Sequence, residues 1–221
     1  MTKIILNPIR GIRSHFDYKN ILQQLQKKGQ QRFGQHFRLY KEDLPIIVPI
    51  VAWMLRDEDV AQQCQIDLKK GIFLSGPIGS GKTQLMQIMR CLTTPSYEYD
   101  VYSCPKIAFD FGKYGTEIIT RYTYNSFHTK GDTPAICCFD DLGKEINVQH
   151  YGTSCKVMQQ ILLARYDLFI EQGMITHATS SLYTTHLEER YGPDIRSRFR
   201  EMFNKLSFHK NTQDKRKNHL Q

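Results

Sequence analysis

Apolar positions change their spacing several times along the 221 residues, and each spacing predicts an element. Ile21, Leu22 and Leu25 fall at helical intervals in a polar stretch that Gly29 ends, which predicts one short amphipathic helix over 18–28. From Leu44 to Leu55 the chain is mostly apolar and holds Pro45 and Pro49. This reads as an extended entry followed by a helix with Pro49 in its first turn, where a missing N–H costs little. Beyond residue 70, apolar runs of strand length predict strands over 71–75, 99–103, 135–139, 174–179 and 205–209. Between them, Leu85, Ile88, Met89 and Leu92 follow i, i+3, i+4, i+7, and Val157, Ile161, Ala164 and Leu168 follow i, i+4, i+7, i+11. Strands alternating with helices predict an α/β fold, a five-stranded parallel sheet flanked by helices, because parallel strands need crossovers that cover both faces.

Composition narrows the class. Hydrophobic residues at 40% and charged residues at 24% suit a packed core rather than a disordered chain. No apolar run reaches the 18 or so residues of a membrane span, and residues 1–10 lack the h-region and cleavage site of a signal peptide, so a cytoplasmic protein without membrane attachment is expected. Six cysteines form no C-x-x-C pair and read as reduced thiols. The net charge of +8 is uneven. Residues 1–41 hold nine Lys/Arg against one acid, residues 205–221 hold five against one, and the middle holds 16 against 20. A mildly acidic body between two basic ends suits a polyanionic partner.

The strongest chemical signal is Gly76-Pro77-Ile78-Gly79-Ser80-Gly81-Lys82-Thr83, which fits G-x-x-x-x-G-K-[ST] between an expected strand and an expected helix. Glycines let backbone N–H groups turn toward phosphate oxygens, and the helix that follows presents its positive end to them. Lys82 would place a charge on the β- and γ-phosphates, and the Thr83 hydroxyl would ligate Mg2+. A magnesium-bound nucleotide also needs a carboxylate, and the apolar run Ala135–Phe139 ends in Asp140 and Asp141. Asp140 would hold Mg2+ through water. Asp141 stands where a base could orient the attacking water, and Glu145, four residues on, could share that role.

The run Phe139-Asp140-Asp141-Leu142-Gly143-Lys144-Glu145 resembles the D-D-L-G-x-E signature of DnaC-type helicase loaders and IstB-type transposition helper ATPases, both of the AAA+ class. A second stretch is similar to the same family. It comprises Ala178-Thr179-Ser180-Ser181-Leu182, then Leu187-Glu188-Glu189-Arg190-Tyr191-Gly192, then Ile195-Arg196-Ser197-Arg198-Phe199. The resemblance covers about residues 45–209. It implies an AAA+ P-loop ATPase domain over 45–209 with ATP and Mg2+ as cofactors. Ser181 matches the sensor position, where the family usually has Asn. Arg198 matches the arginine that reaches a neighbouring subunit's nucleotide, which implies a homo-oligomer, and Arg196 could compensate for Asp194, which stands where many relatives carry a base. No helical lid is expected after the last strand, and residues 210–221 read as a basic disordered tail.

In the resembled family the N-terminal region commonly grips the client protein. Residues 1–44 are basic and too short for a core of their own, which suits a helical arm that orders on a partner. Between the second and third expected strands lie Phe109, Phe111, Lys113, Tyr114, Arg121, Tyr122, Tyr124, Phe127, His128 and Lys130. Rings interleaved with cations suit single-stranded DNA, with Tyr122, Tyr124 and Lys130 as contacts. A crossover helix burying its aromatics on the sheet explains the pattern equally well, with Phe109 as core. Three functional readings follow. The favoured one is a DnaC-like loader that assembles on single-stranded DNA and delivers a replicative helicase. An IstB-like helper recruiting a transposase on duplex DNA shares the same core. A small-molecule kinase fits less well, since no arginine-rich lid is present.

Overall fold

The computed structural model describes residues 14–128, 133–150 and 153–216, which form two compact units. Of these residues, 14–68, 79–98 and 213–216 make the first, and 69–78, 99–128, 133–150 and 153–212 make the second. Among the described residues no helix is long and apolar enough to cross a membrane.

The first unit contains α1 (Tyr18–Phe33), α2 (Leu44–Leu55), α3 (Glu58–Gln63) and α4 (Lys82–Met89). Asp17 caps α1 by accepting from the Asn20 N–H at 3.0 Å. Tyr18, Leu22 and Leu25 turn one face of α1 inward, and the Tyr18 hydroxyl donates to Asp57 at 2.9 Å. The helix runs four residues past Gly29 because that glycine makes room for Phe37. A Cβ at position 29 would meet the Phe37 ring at 2.2 Å. Helix α1 thus shares a unit with α2, α3 and α4, and Leu44 is the first residue of α2. Helix α2 starts a turn earlier than expected. Pro45 takes the first turn, and Pro49 lies inside, where it withholds one N–H from the helical ladder.

The second unit carries the sheet. Its strands are β1 (Gly71–Ser75), β2 (Tyr99–Ser103), β3 (Ile136–Asp140), β6 (Thr176–Ser180) and β7 (Phe203–Ser207). They lie in the order β2-β3-β6-β1-β7, every pair parallel. A short antiparallel hairpin, β4 (Val148–His150) with β5 (Thr153–Cys155), stands apart from it. The expected strands all occur, but the last three shift by one or two residues. Pairing sets their ends: Ser180 lies opposite Ser75 and Phe203 opposite Gly71. Helices α5 (Cys104–Tyr114), α6 (Thr116–Tyr122), α7 (Val157–Gln172), α8 (Thr184–Tyr191) and α9 (Pro193–Met202) complete the unit. Ile107, Phe111, Val157, Ile161, Ile195 and Phe199 bury against Phe73, Phe139 and Ala178 of the sheet.

Arg165 of α7 is fully buried, and no carboxylate is among its partners. Its five N–H groups donate to Thr176 Oγ1 (2.7 Å), Tyr122 O (2.9 Å), Ser126 Oγ (3.2 Å), Ala135 O (3.1 Å) and Ile175 O (2.8 Å). The guanidinium thus staples the residues entering β3 and β6 to the crossover.

Two sequence expectations change here. Phe109, expected in the core, is 74% exposed. The buried face of α5 is Cys104, Ile107, Ala108 and Phe111, and residue 109 falls off that stripe. Residues 210–216, expected to lack structure, form turns after β7, with the Thr212 N–H donating to His209 O at 2.9 Å and the Lys215 N–H to Gly79 O at 3.0 Å. Lys130 lies outside the described residues.

Candidate nucleotide site

Residues 76–83 are one continuous segment. Gly76, Pro77 and Ile78 follow β1 in the second unit, while Gly79, Ser80, Gly81, Lys82 and Thr83 belong to the first and open α4. Three glycines take left-handed φ values: Gly76 at 148°, Gly79 at 82° and Gly81 at 90°. At Gly76 a side chain is excluded by contact as well, since a Cβ would lie 2.6 Å from the Phe208 Cβ. Gly81 caps α4 without any side-chain acceptor, so the positive end of the helix is left to whatever anion meets the loop. Lys82 is 6% exposed and its Nζ donates to Ser80 Oγ at 3.3 Å. Ile78 is exposed.

The acidic residues sit at the carboxyl end of the sheet in the second unit. β6 lies between β1 and β3, so Asp140 at the end of β3 and Gly76 after β1 flank the end of one strand. Thr179 of β6 holds that end together. Its hydroxyl donates to Asp140 Oδ1 at 2.6 Å and accepts from the Asp141 N–H at 3.1 Å, while its carbonyl accepts from the Leu142 N–H at 2.8 Å. Ser180 adds a second stitch, its hydroxyl donating to Leu142 O at 2.6 Å and accepting from the Leu182 N–H at 2.9 Å. Ser181 follows β6 and is half-buried. Asp141 takes a left-handed φ of 59°, and its carboxylate pairs with Lys144 Nζ at 2.8 Å.

Glu145 differs from the other two acids. It is buried, and both carboxylate oxygens are engaged. Oε2 accepts from the Gly143 N–H at 2.9 Å, and Oε1 accepts from Arg190 Nε at 3.3 Å and from the Tyr191 hydroxyl. Burial first, then the Glu145 carboxylate, pushes the Tyr191 phenol up. The Cys104 thiol, at the start of α5, is pushed up by burial and then by Glu145, Asp140 and Asp141. Glu145 thus ties the acid loop to α8.

Arg198 lies on α9 with its guanidinium 5.2 Å from the Tyr166 ring centre, and Arg196 pairs with Glu188 at 2.9 Å. The sequence motifs contained Thr179, Arg190 and Tyr191, but nothing in their spacing assigned them a role. A hydroxyl that meets the Asp140 carboxylate and the Asp141 N–H from a neighbouring strand shows only in the pairing of β3 with β6.

No family model and no curated protein matches the chain. Solved structures do. A putative primosome component from Streptococcus pyogenes serotype M3 shares 17% identity, with 79% of this chain and 83% of that one covered at a TM-score of 0.54. AMPPCP-bound DnaA from Aquifex aeolicus also shares 17%, with 78% of this chain covered but only 48% of that one, at 0.50. A DnaC helicase loader, at 18% identity over 64% of this chain and 79% of that one, scores 0.46 and adds no weight. At these identities the likeness establishes the fold alone, an α/β P-loop architecture with an open parallel sheet flanked by helices.

Proposed function

We propose that this chain binds ATP with Mg2+, hydrolyses it, and uses the cycle to assemble on single-stranded DNA and deliver a client protein, a replicative helicase. The observation that carries the reading is the stitched carboxyl end of β3, which follows the D-D-L-G-x-E resemblance and lies one strand away from the end of β1 that leads into the phosphate loop. The similar Streptococcus pyogenes protein is a putative primosome component, which agrees with a role in replication.

Residue roles follow from chemistry. Gly76 and residues 78–81 offer backbone N–H groups to phosphate, and Lys82 supplies a buried cation. The Thr83 hydroxyl and the Asp140 carboxylate are hard oxygen donors of the type Mg2+ takes, and Thr179 orients Asp140. Asp141 orients the attacking water. Glu145, its oxygens already committed to Gly143, Arg190 and Tyr191, positions the loop instead. Ser181 would read the γ-phosphate through a water, since its side chain is shorter than Asn. Arg198 would act on a neighbouring copy's nucleotide. The exposed polar face of α1 is the client-facing part of residues 1–44.

The test is nucleotide binding and phosphate release with three proteins. Lys82→Ala should abolish tight ATP binding, while Asp141→Asn should bind ATP normally and turn over about 10²–10⁴-fold more slowly, the usual worth of a positioned base. Equal turnover in Asp141→Asn and the unmodified chain would remove the base role from Asp141. Assembly on single- and double-stranded DNA of equal length then separates the loader from its alternative, since a preference for duplex would favour a transposition helper.

A further inference from the structure

Residues 213–216 of the first unit lie on the phosphate loop. The Lys215 N–H donates to Gly79 O at 3.0 Å. The Asp214 carboxylate rests against the same glycine so closely that a Cβ there would be 2.0 Å from Oδ1 and 2.2 Å from Cγ. Arg216 holds that carboxylate in a fork, its backbone N–H and Nε meeting Oδ1 at 3.0 and 2.9 Å and Nη2 meeting Oδ2 at 2.8 Å. The Lys215 side chain passes Gly81, with Cδ 3.6 Å from where a Cβ would stand, and pairs with Asp43 just before α2. Its ammonium is also 5.0 Å from the Tyr40 ring centre. Asp43 is buried, so leaving it without a cation would be costly. A backbone hydrogen bond, an ion pair and a ring contact therefore fasten one short segment to the loop whose task is to hold phosphate.

We propose that residues 213–216 are a tethered occupant of the phosphate loop, with Asp214 supplying the anion, and that nucleotide binding displaces them. This rests on the reading of residues 76–83 as a nucleotide site. A carboxylate resting this close to Gly79 takes up space at the loop that a polyphosphate would have to clear. An occupant carried on the same chain competes at a high effective concentration, so the apparent affinity for nucleotide falls by the fraction of time the loop is open. The segment thereby sets the ATP concentration at which the protein responds.

The experiment compares the full chain with Asp214→Ala and Lys215→Ala, measuring equilibrium binding of a fluorescent ATP analogue by anisotropy. Thermal midpoints report folding. Both substitutions should tighten binding about 3- to 30-fold, Asp214→Ala by removing the anion and Lys215→Ala by releasing the anchor on Asp43. Trypsin provides a readout on the unsubstituted protein. A saturating non-hydrolysable ATP analogue should speed loss of the peptide that follows Lys215 and Arg216. Binding that is unchanged or weaker in both variants, or protection from trypsin by nucleotide, would overturn the proposal and leave the nucleotide site standing. No binding in the unmodified chain or in either variant would overturn the site and the proposal together.

Discussion

Arg165 shows how a single side chain can hold two strand entries without a counter-charge. Burial lowers its proton affinity, but a guanidinium stays protonated at any ordinary pH, and its five donors meet five neutral acceptors. Arg165→Met would keep the volume and strand those acceptors in the core. The expected loss is about 3–5 kcal/mol, read from urea unfolding. Arg165→Lys should do little better, because three donors on one nitrogen cannot serve five sites. Since no acid takes part, the loss should be nearly independent of salt; a loss that shrinks in 1 M salt would reveal an ionic contribution. Asp141 teaches a related lesson. Its left-handed backbone is one that Asn tolerates as well as Asp, so Asp141→Asn isolates the charge from the geometry.

At the scale of elements, helix periodicity separates what the aromatic run in the sequence mixed together. Phe111 completes the buried stripe of α5, and Tyr122 is half-buried, meeting the rings of Tyr102 and Phe139 at 5.0 and 6.0 Å between centres. Phe109, Tyr114 and Tyr124 remain exposed, with Lys106 and Lys113 on the same helix as the first two. If this surface stacks bases, Phe109→Ala with Tyr124→Ala should weaken single-stranded DNA binding by about 1–3 kcal/mol per ring while leaving stability within about 0.5 kcal/mol. Unfolding and DNA titration on one preparation would check both halves. The strands and the long helices were legible because period and length agree there. The break between α5 and α6 at Gly115 and the hairpin of β4 and β5 were not, since three-residue strands and a one-residue interruption leave no period to detect. In the candidate site, the placement of residues 76–83 after β1 and of Asp140 at the end of β3 was legible because covalent spacing carries it. The roles of Thr179, Arg190 and Tyr191 were not, since each depends on contacts made more than 30 residues away.

For the whole molecule, Arg198 poses the question of assembly. It rests on the Tyr166 ring, a contact worth about 0.5–1 kcal/mol at an accessible site, so a nucleotide on another copy could draw it away cheaply. If Arg198 acts on a neighbouring copy as proposed, Arg198→Ala should keep ATP affinity and lose most turnover, since a trans-acting arginine supplies about 10³–10⁵ in rate in related systems. Mixing it with Lys82→Ala should restore activity, one partner giving the loop and the other the arginine. Co-assembled variants that stay inactive would confine Arg198 to its own subunit. If the chain assembles on DNA as proposed, its basic ends should make that assembly fall steeply with salt.

The first unit is gathered from three separated pieces of chain, and the piece that touches Gly79 comes last in sequence. Lys215 and Gly79 are 136 residues apart in sequence, with the segments that form β2, β3, β6 and β7 between them. Closing so long a loop is costly in chain entropy, so this contact is expected among the last to form in folding and the first to be given up when the chain loosens.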